Sequence, residues 1–202
     1  SILSQTYDNW EWIIADDFST DNTKQKLIDL KKKDPRIRLV ELSHKKQLWW
    51  NPQLFASGDV VCHIDGDDMI LPKTFEKIIH YFGKFPEVAL MHFNANKYKG
   101  SLPQSKDQLL NNFVNNVYIS NENNSFLEGF EKLWHKRSGV FGCLRVFRNI
   151  PGIKFKEHSD KGDCSSNDGQ WLLTMEEKGR TLTIPRTTYL AREHHDSENF
   201  RN

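Results

Sequence analysis

Val60-Val61-Cys62-His63-Ile64 runs directly into Asp65-Gly66-Asp67-Asp68, with Pro72 shortly beyond. A mostly apolar run bounded by polar residues reads as a buried strand, and this one discharges into three acidic side chains. At the carboxyl end of a strand in an α/β sheet, such side chains face the crevice where these sheets bind ligands. Asp65 and Asp67, separated only by Gly66, can both reach one hard cation of the kind that holds a diphosphate. Taken alone, the pattern is more often that of a solvated acidic turn before a helix. Its surroundings decide between the two.

Those surroundings alternate strand and helix. Glu11-Trp12-Ile13-Ile14-Ala15 is a strand ending at Asp16-Asp17, and Ser19-Thr20-Asp21-Asn22 offers N-caps for a helix to about Lys33, with Leu27, Ile28 and Leu30 on its apolar side. Lys31-Lys32-Lys33 is the solvated end of that helix, where cations favour the dipole, and Pro35 closes it. Ile37 to Leu42 is a second strand, and Pro52 to Ser57 a short helix stopped by Gly58. After the acidic cluster, Pro72 to Phe82 is a helix and Val88 to Asn94 a strand. The alternation predicts a largely parallel sheet with helices on both faces. The pattern weakens over 97–124, a polar insertion. It returns with Phe126 to Trp134, the apolar Val140 to Leu144, a helix from Asn167 to about Lys178 stopped by Gly179, and a last strand from Arg180 to Leu190. Pro185 marks an edge or a bend in that strand.

At 202 residues the chain suits one domain, 1–202. A formal net charge of +1 provides no basic footprint for nucleic acid. Cys62, Cys143 and Cys164 share no Cys-x-x-Cys spacing, which argues against a zinc knuckle or a disulfide framework and fits a reducing, cytoplasmic setting. No apolar run reaches the length of a membrane-crossing helix, and no secretory signal opens the chain; peripheral membrane association stays open.

Several segments together resemble a known family. Ser1-Ile2-Leu3-Ser4-Gln5-Thr6-Tyr7, then Asn9 and Glu11, then Asp16-Asp17-Phe18-Ser19-Thr20-Asp21 look like the amino-terminal signature of family 2 glycosyltransferases. Gly58-Asp59, the strand, Asp65-Gly66-Asp67-Asp68 and Pro72 resemble that family's Asp-x-Asp segment in order and spacing. The match is dense over 1–92; beyond it lie Asn167-Asp168 and a closing Tyr189 with His194 or His195. The resemblance implies a GT-A fold, Rossmann-like and α/β, with a mostly parallel central sheet and a small antiparallel part near the acceptor side. Residues 1–96 would then bind the nucleotide and 97–202 the acceptor.

It also implies roles. Asp17 would hydrogen-bond the base of a nucleotide-sugar donor, most often a UDP-sugar, and Asp65 the ribose, while Asp16 shapes its turn. Asp67 would ligate the Mn²⁺ or Mg²⁺ bridging the two phosphates, an ion that suits oxygen ligands and retained waters. His195, with His194 as the near-equal option, would add a ligand or a diphosphate contact. Asp168 would be the general base, its alternative being a helix N-cap. Trp171, one turn on, could cover the acceptor sugar or pack in the core, and Trp134 and the loop from Gly139 to Gly142 carry the same choice. The implied reaction is inverting transfer of a sugar to a hydroxyl of a carbohydrate or glycolipid acceptor, as in polysaccharide biosynthesis.

The chain departs from the pattern in three places. Trp49-Trp50-Asn51 stands where relatives carry an Arg-Asn pair, leaving Lys45 and Lys46 as the nearest cations, with Lys46 the candidate diphosphate contact. No Gln-x-x-Arg-Trp motif of processive members occurs. The strand that precedes the signature in relatives is missing before Ser1, so the expectation is a truncated start or a rebuilt sheet. Rival readings are weaker. A haloacid-dehalogenase-type phosphatase wants Thr or Val where Met69 stands, and a calcium loop of the EF-hand type finds Met69 and Ile70 in place of its ligand and glycine. The remaining rival is a nucleotide- or glycan-binding module of the same fold without turnover.

Overall fold

The computed structural model describes residues 1–16, 18–41, 52–99, 144–153, 174–175 and 177–193. In chain order the strands and helices are β1 (Trp12–Ala15), α1 (Thr23–Lys31), β2 (Ile37–Val40), β3 (Val60–His63), β4 (Met69–Ile70), α2 (Thr74–Lys84), β5 (Val88–Lys99), β6 (Arg145–Arg148) and β7 (Arg180–Glu193), with 3-10 turns at Ile2–Ser4 and Pro52–Phe55. They fall into two compact units, one of residues 1–7, 62–147 and 175–202, the other of 8–61 and 148–174.

In the second unit β1 and β2 pair in parallel, Trp12 opposite Ile37 through Ala15 opposite Val40. The α1 helix joins them, as a parallel pair requires a crossover. Its Leu27 and Leu30 are half-buried while Ile28 is 37% exposed, since Ile28 lies about 100° around the helix from Leu27. Glu11 braces this unit: its Oε1 accepts from the Ser57 N–H at 2.6 Å and from the Ser57 hydroxyl at 2.7 Å, and its Oε2 pairs with Arg38 at 2.7 Å. The guanidinium of Arg36 lies 3.6 Å over the Trp10 ring and pairs with Asp34 at 2.7 Å.

A five-stranded sheet runs in the order β3-β6-β5-β7-β4. β5 pairs with β7 in parallel and with β6 antiparallel, and β4 pairs antiparallel with β7. Asp59 accepts from the Asn149 N–H while His63 meets Arg145, which sets β3 and β6 antiparallel as well. The architecture is α/β, but its antiparallel share is larger than the alternation alone suggests, because the short β4 and β6 both return alongside longer strands. The core gathers on β5, β6 and β7, where Leu90, Met91, Val146, Tyr189 and Leu190 are essentially inaccessible. The α2 helix contributes Thr74, Ile78 and Phe82, one face at i, i+4 and i+8.

Between Phe93 opposite Ile184 and Asn94 opposite Thr187 the β5–β7 register skips Pro185 and Arg186. Of the two expectations for Pro185, the bend is realised: a residue without an N–H sits where the ladder is interrupted. Gly179 does more than stop a helix. A Cβ there would lie 2.8 Å from the Ala89 Cβ and 2.9 Å from the Glu87 carbonyl oxygen, so only glycine lets this turn close onto β5.

Candidate active site

The acidic turn follows directly on β3, an outer strand of the five-stranded sheet. The Asp68 N–H donates to the Asp65 carbonyl at 3.1 Å, closing a turn over 65–68. Asp65 is partly buried, with 37% of its side chain exposed, and Gly66 and Asp67 are exposed. A Cβ built on Gly66 meets nothing within 4 Å, so this face of the turn is open ground.

What holds the turn is remote in sequence. Both oxygens of Asp68 are taken by β7: Oδ1 accepts the Arg192 N–H at 2.7 Å and Oδ2 accepts the Tyr189 hydroxyl. The Tyr189 oxygen in turn accepts the Asp65 N–H at 3.3 Å, and its ring is fully buried. Charge-assisted bonds of this kind are roughly twice as strong as neutral ones. Beneath Asp65 lies Arg145 on β6, 6% exposed. Its guanidinium stands 3.7 Å from Asp65 Oδ1 and 3.3 Å from His63 Nδ1. An arginine only donates, so His63 Nδ1 is the acceptor there. Desolvation, reinforced by Arg145, pushes His63 down to about 3 and His92 down to about 4, so both stay neutral near pH 7. Burial pushes the Cys62 thiol up to about 12, which keeps it unreactive.

The opening segment also acquires a task. Gln5, 7% exposed, donates through Nε2 to the Leu71 carbonyl at 2.7 Å and accepts the Phe75 N–H through Oε1 at 3.1 Å. The Thr6 N–H donates to the Pro72 carbonyl at 2.9 Å. A remote side chain thus caps the first turn of α2, where backbone N–H groups otherwise lack partners, and pins the segment that leaves the acidic turn.

The structure places Asp65 and Asp67 on one turn and assigns Asp68 to holding it. Asp17, Lys46, Asp168 and His195 lie outside the described residues, as do Lys45, Trp49, Trp50, Trp134, Trp171 and His194. Among the described residues no three His, Cys, Asp or Glu side chains gather as a metal cluster, and no helix is long and apolar enough to cross a membrane. The sequence reading passed over Arg145 and the work of Gln5. A signal existed for the first: an arginine inside Leu144-Arg145-Val146-Phe147, at a position the strand turns inward, needs a buried partner.

Comparison with known proteins agrees with this picture. The chain is 38% identical over its whole length to EpsE of Bacillus subtilis, a glycosyltransferase by name, and spans 68% of it. It is 37% identical to the Escherichia coli protein WfgD, a UDP-Glc:alpha-D-GlcNAc-diphosphoundecaprenol beta-1,3-glucosyltransferase, over 38% of the chain and 30% of WfgD. Among solved structures, 98% of the chain superposes on Staphylococcus aureus TarS with a TM-score of 0.63 at 17% identity, covering 34% of TarS. A Pyrobaculum calidifontis mannosyltransferase, solved in complex with GDP-Man and Mn²⁺, superposes with a TM-score of 0.57 at 15% identity over 98% of the chain and 52% of that protein. The chain therefore spans about a third to a half of these two solved relatives. These structural likenesses establish the GT-A fold. Residues 1–150 match glycosyl transferase family 2, and with that match the chain belongs to this glycosyltransferase family.

Proposed function

We propose that this domain transfers a sugar from a nucleotide-diphosphate donor, a UDP-sugar first among the candidates, to a hydroxyl of a carbohydrate or glycolipid acceptor, with inversion and with a divalent cation. The observation that carries the proposal is the turn after β3, where an exposed Asp67 and a partly buried Asp65 stand on a frame fixed by Asp68, Tyr189 and Arg192. The donor set fits Mn²⁺ or Mg²⁺: the ligands are hard carboxylate oxygens, and the open face of Gly66 leaves room for phosphate oxygens and waters to complete the shell. Asp67 is the proposed ligand and Asp65 the proposed ribose contact. A bound cation would supply Lewis-acid stabilisation of charge on the departing diphosphate.

The names of two relatives support the donor class, one mentioning UDP-Glc and the other GDP-Man with Mn²⁺. Lys46 and His195 are proposed diphosphate and metal contacts on the strength of the family resemblance alone. Asp168 is proposed as the base that takes the proton from the acceptor hydroxyl.

The test is a thermal-shift screen of UDP, GDP and their sugars with and without Mn²⁺, followed by a transfer assay. A ligand at a hundred times its dissociation constant stabilises the fold by about 2.7 kcal/mol, so a true donor should raise the melting temperature visibly and only with metal. Asp168→Asn keeps size and capping ability but cannot accept a proton. A loss of about a hundred- to ten-thousand-fold in turnover, at unchanged donor affinity, supports the base. Unchanged turnover leaves only a cap. Nucleotide binding without transfer to any acceptor would point to the non-catalytic module.

A further inference from the structure

Arg145 is an expensive residue to place where it is. Its side chain is 7% exposed, on a strand whose neighbours Leu144, Val146 and Phe147 are core residues. A guanidinium cannot shed its proton, so burial at this depth demands oriented partners. Two of them are His63 and Asp65, which lie on β3 and just beyond its end. The Asp65 main chain is fixed separately, by its N–H donating to the Tyr189 hydroxyl oxygen. Backbone and carboxylate therefore meet different strands: the Tyr189 hydroxyl on β7 accepts the Asp65 N–H, and Arg145 on β6 stands at ion-pair distance from the carboxylate.

We propose that Arg145 is a positioning residue for donor binding: it orients the Asp65 carboxylate toward the nucleotide and offsets part of the negative charge packed into Asp65, Asp67 and Asp68. This rests on Asp65 belonging to the donor site. Three carboxylates within four residues repel one another before any cation arrives, and a fixed cation on the buried side relieves that repulsion without competing for the exposed side. His63 completes the device. Accepting from Arg145 through Nδ1, it aims the guanidinium and contributes no second positive charge at neutral pH.

A double-mutant cycle tests the proposal, with Mn²⁺-dependent affinity for UDP and GDP as the readout and melting temperature recorded alongside. R145M and D65N should each weaken binding at least tenfold, and the double variant should bind no worse than the weaker single, because both remove the same oriented carboxylate. R145K keeps the charge but reaches fewer partners, and should recover part of the loss. If R145M does not fold, R145K carries the test. It must then lose threefold or more in the wild-type background and nothing further beside D65N.

A merely structural arginine would lower the melting temperature while its effect on affinity added to that of D65N. Additive losses, or wild-type affinity in R145M or R145K, overturn the positioning role and leave the site standing on the loss in D65N. Wild-type affinity in D65N removes Asp65 from the site and the positioning role with it. A wild-type chain that binds neither nucleotide with Mn²⁺ overturns both.

Discussion

The turn after β1 closes on itself, whereas the turn after β3 is closed by a strand more than a hundred residues away. In the first, Asp16 accepts the Ser19 N–H at 3.2 Å and the Ser19 hydroxyl, and Asp21 accepts the Thr23 N–H at 2.9 Å. All of these partners lie within three residues of one another in sequence. In the second, Asp68 and Asp65 depend on Tyr189, Arg192 and Arg145. Both turns end strands and both carry paired acids, yet one is a local structure and the other a product of tertiary folding. A local turn forms at little entropic cost; a remote clamp exists only once the sheet is assembled.

The largest effect should come from the exposed member of the clamped turn. Asp67→Ala removes the proposed cation ligand from a position whose neighbours are held by other residues. Mn²⁺-dependent nucleotide affinity should fall about a hundredfold or more, about 2.7 kcal/mol, with the melting temperature without ligand unchanged. Equal affinity with and without metal in the variant sinks the assignment. The same substitution at Asp16 should cost stability locally and leave metal dependence intact.

Acid should separate the two regions next. His63 and His92 are held neutral in the fold, with values lowered to about 3 and about 4, and both take up protons near 6.5 when unfolded. The sign follows: between about 4 and 6.5 the unfolded chain binds more protons, so stability falls as pH falls through that window. His92 alone should cost about 2 kcal/mol at pH 5 relative to pH 7.5. Around β1 and β2 the linkage runs the other way. Arg36 holds Asp34 down to about 2; for Glu11, burial pushes upward but the Ser57 bonds and Arg38 prevail and lower it. Their contributions persist at pH 5 and are lost only below about 4. Hydrogen exchange at pH 5 and pH 7.5, corrected for intrinsic rates, should show protection lost in β5 and β6 and kept in β1 and β2. Parallel loss in both would contradict this division.

This contrast also explains what could be read in advance. The strand at Val60, the acids at its end, the helix after Pro72 and the paired strands around α1 are written in local periodicity and punctuation, and the structure contains each. The Asp65–Asp67 pair was legible because its spacing is short. The part Asp68 plays has no local signal, since nothing near it in the sequence announces Tyr189 or the Arg192 backbone. Gln5 matched a signature without revealing that it caps α2, a contact across 70 residues. Arg145 hid for the same reason: its partners His63 and Asp65 stand on β3 and just beyond it, eighty or more residues earlier. The bend at Pro185 was half-visible, since proline forbids a regular ladder but does not say which way the strand yields.

Asp68→Ala should then act on stability where Asp67→Ala acts on binding. It strips Tyr189 and the Arg192 N–H of their acceptor, and leaving such groups unsatisfied costs about 1–3 kcal/mol. Denaturant melts should show that loss, with a secondary fall in nucleotide affinity as the turn loosens. Asp68→Asn keeps one acceptor oxygen and should fall between. A variant as stable as wild type that binds metal poorly would make Asp68 a ligand instead of a latch.

The smallest effect belongs to the self-contained turn. Phe18 follows Asp17 with φ at 60°, the one positive φ outside glycine among the described residues, and it is 45% exposed. A side chain in this left-handed region costs roughly 1–2 kcal/mol, while glycine adopts it freely but returns about 0.5–1 kcal/mol through its looser unfolded state. The balance favours Phe18→Gly by up to about 1.5 kcal/mol. Phe18→Ala keeps the backbone penalty and removes only an exposed ring, so it should be neutral or slightly destabilising. The pair thus separates backbone from side chain in denaturant melts. If both variants shift stability equally, the ring matters and the dihedral does not, and the turn after β1 has packing partners its local hydrogen bonds do not reveal. A gain confined to glycine shows that this turn carries backbone strain of its own at Phe18.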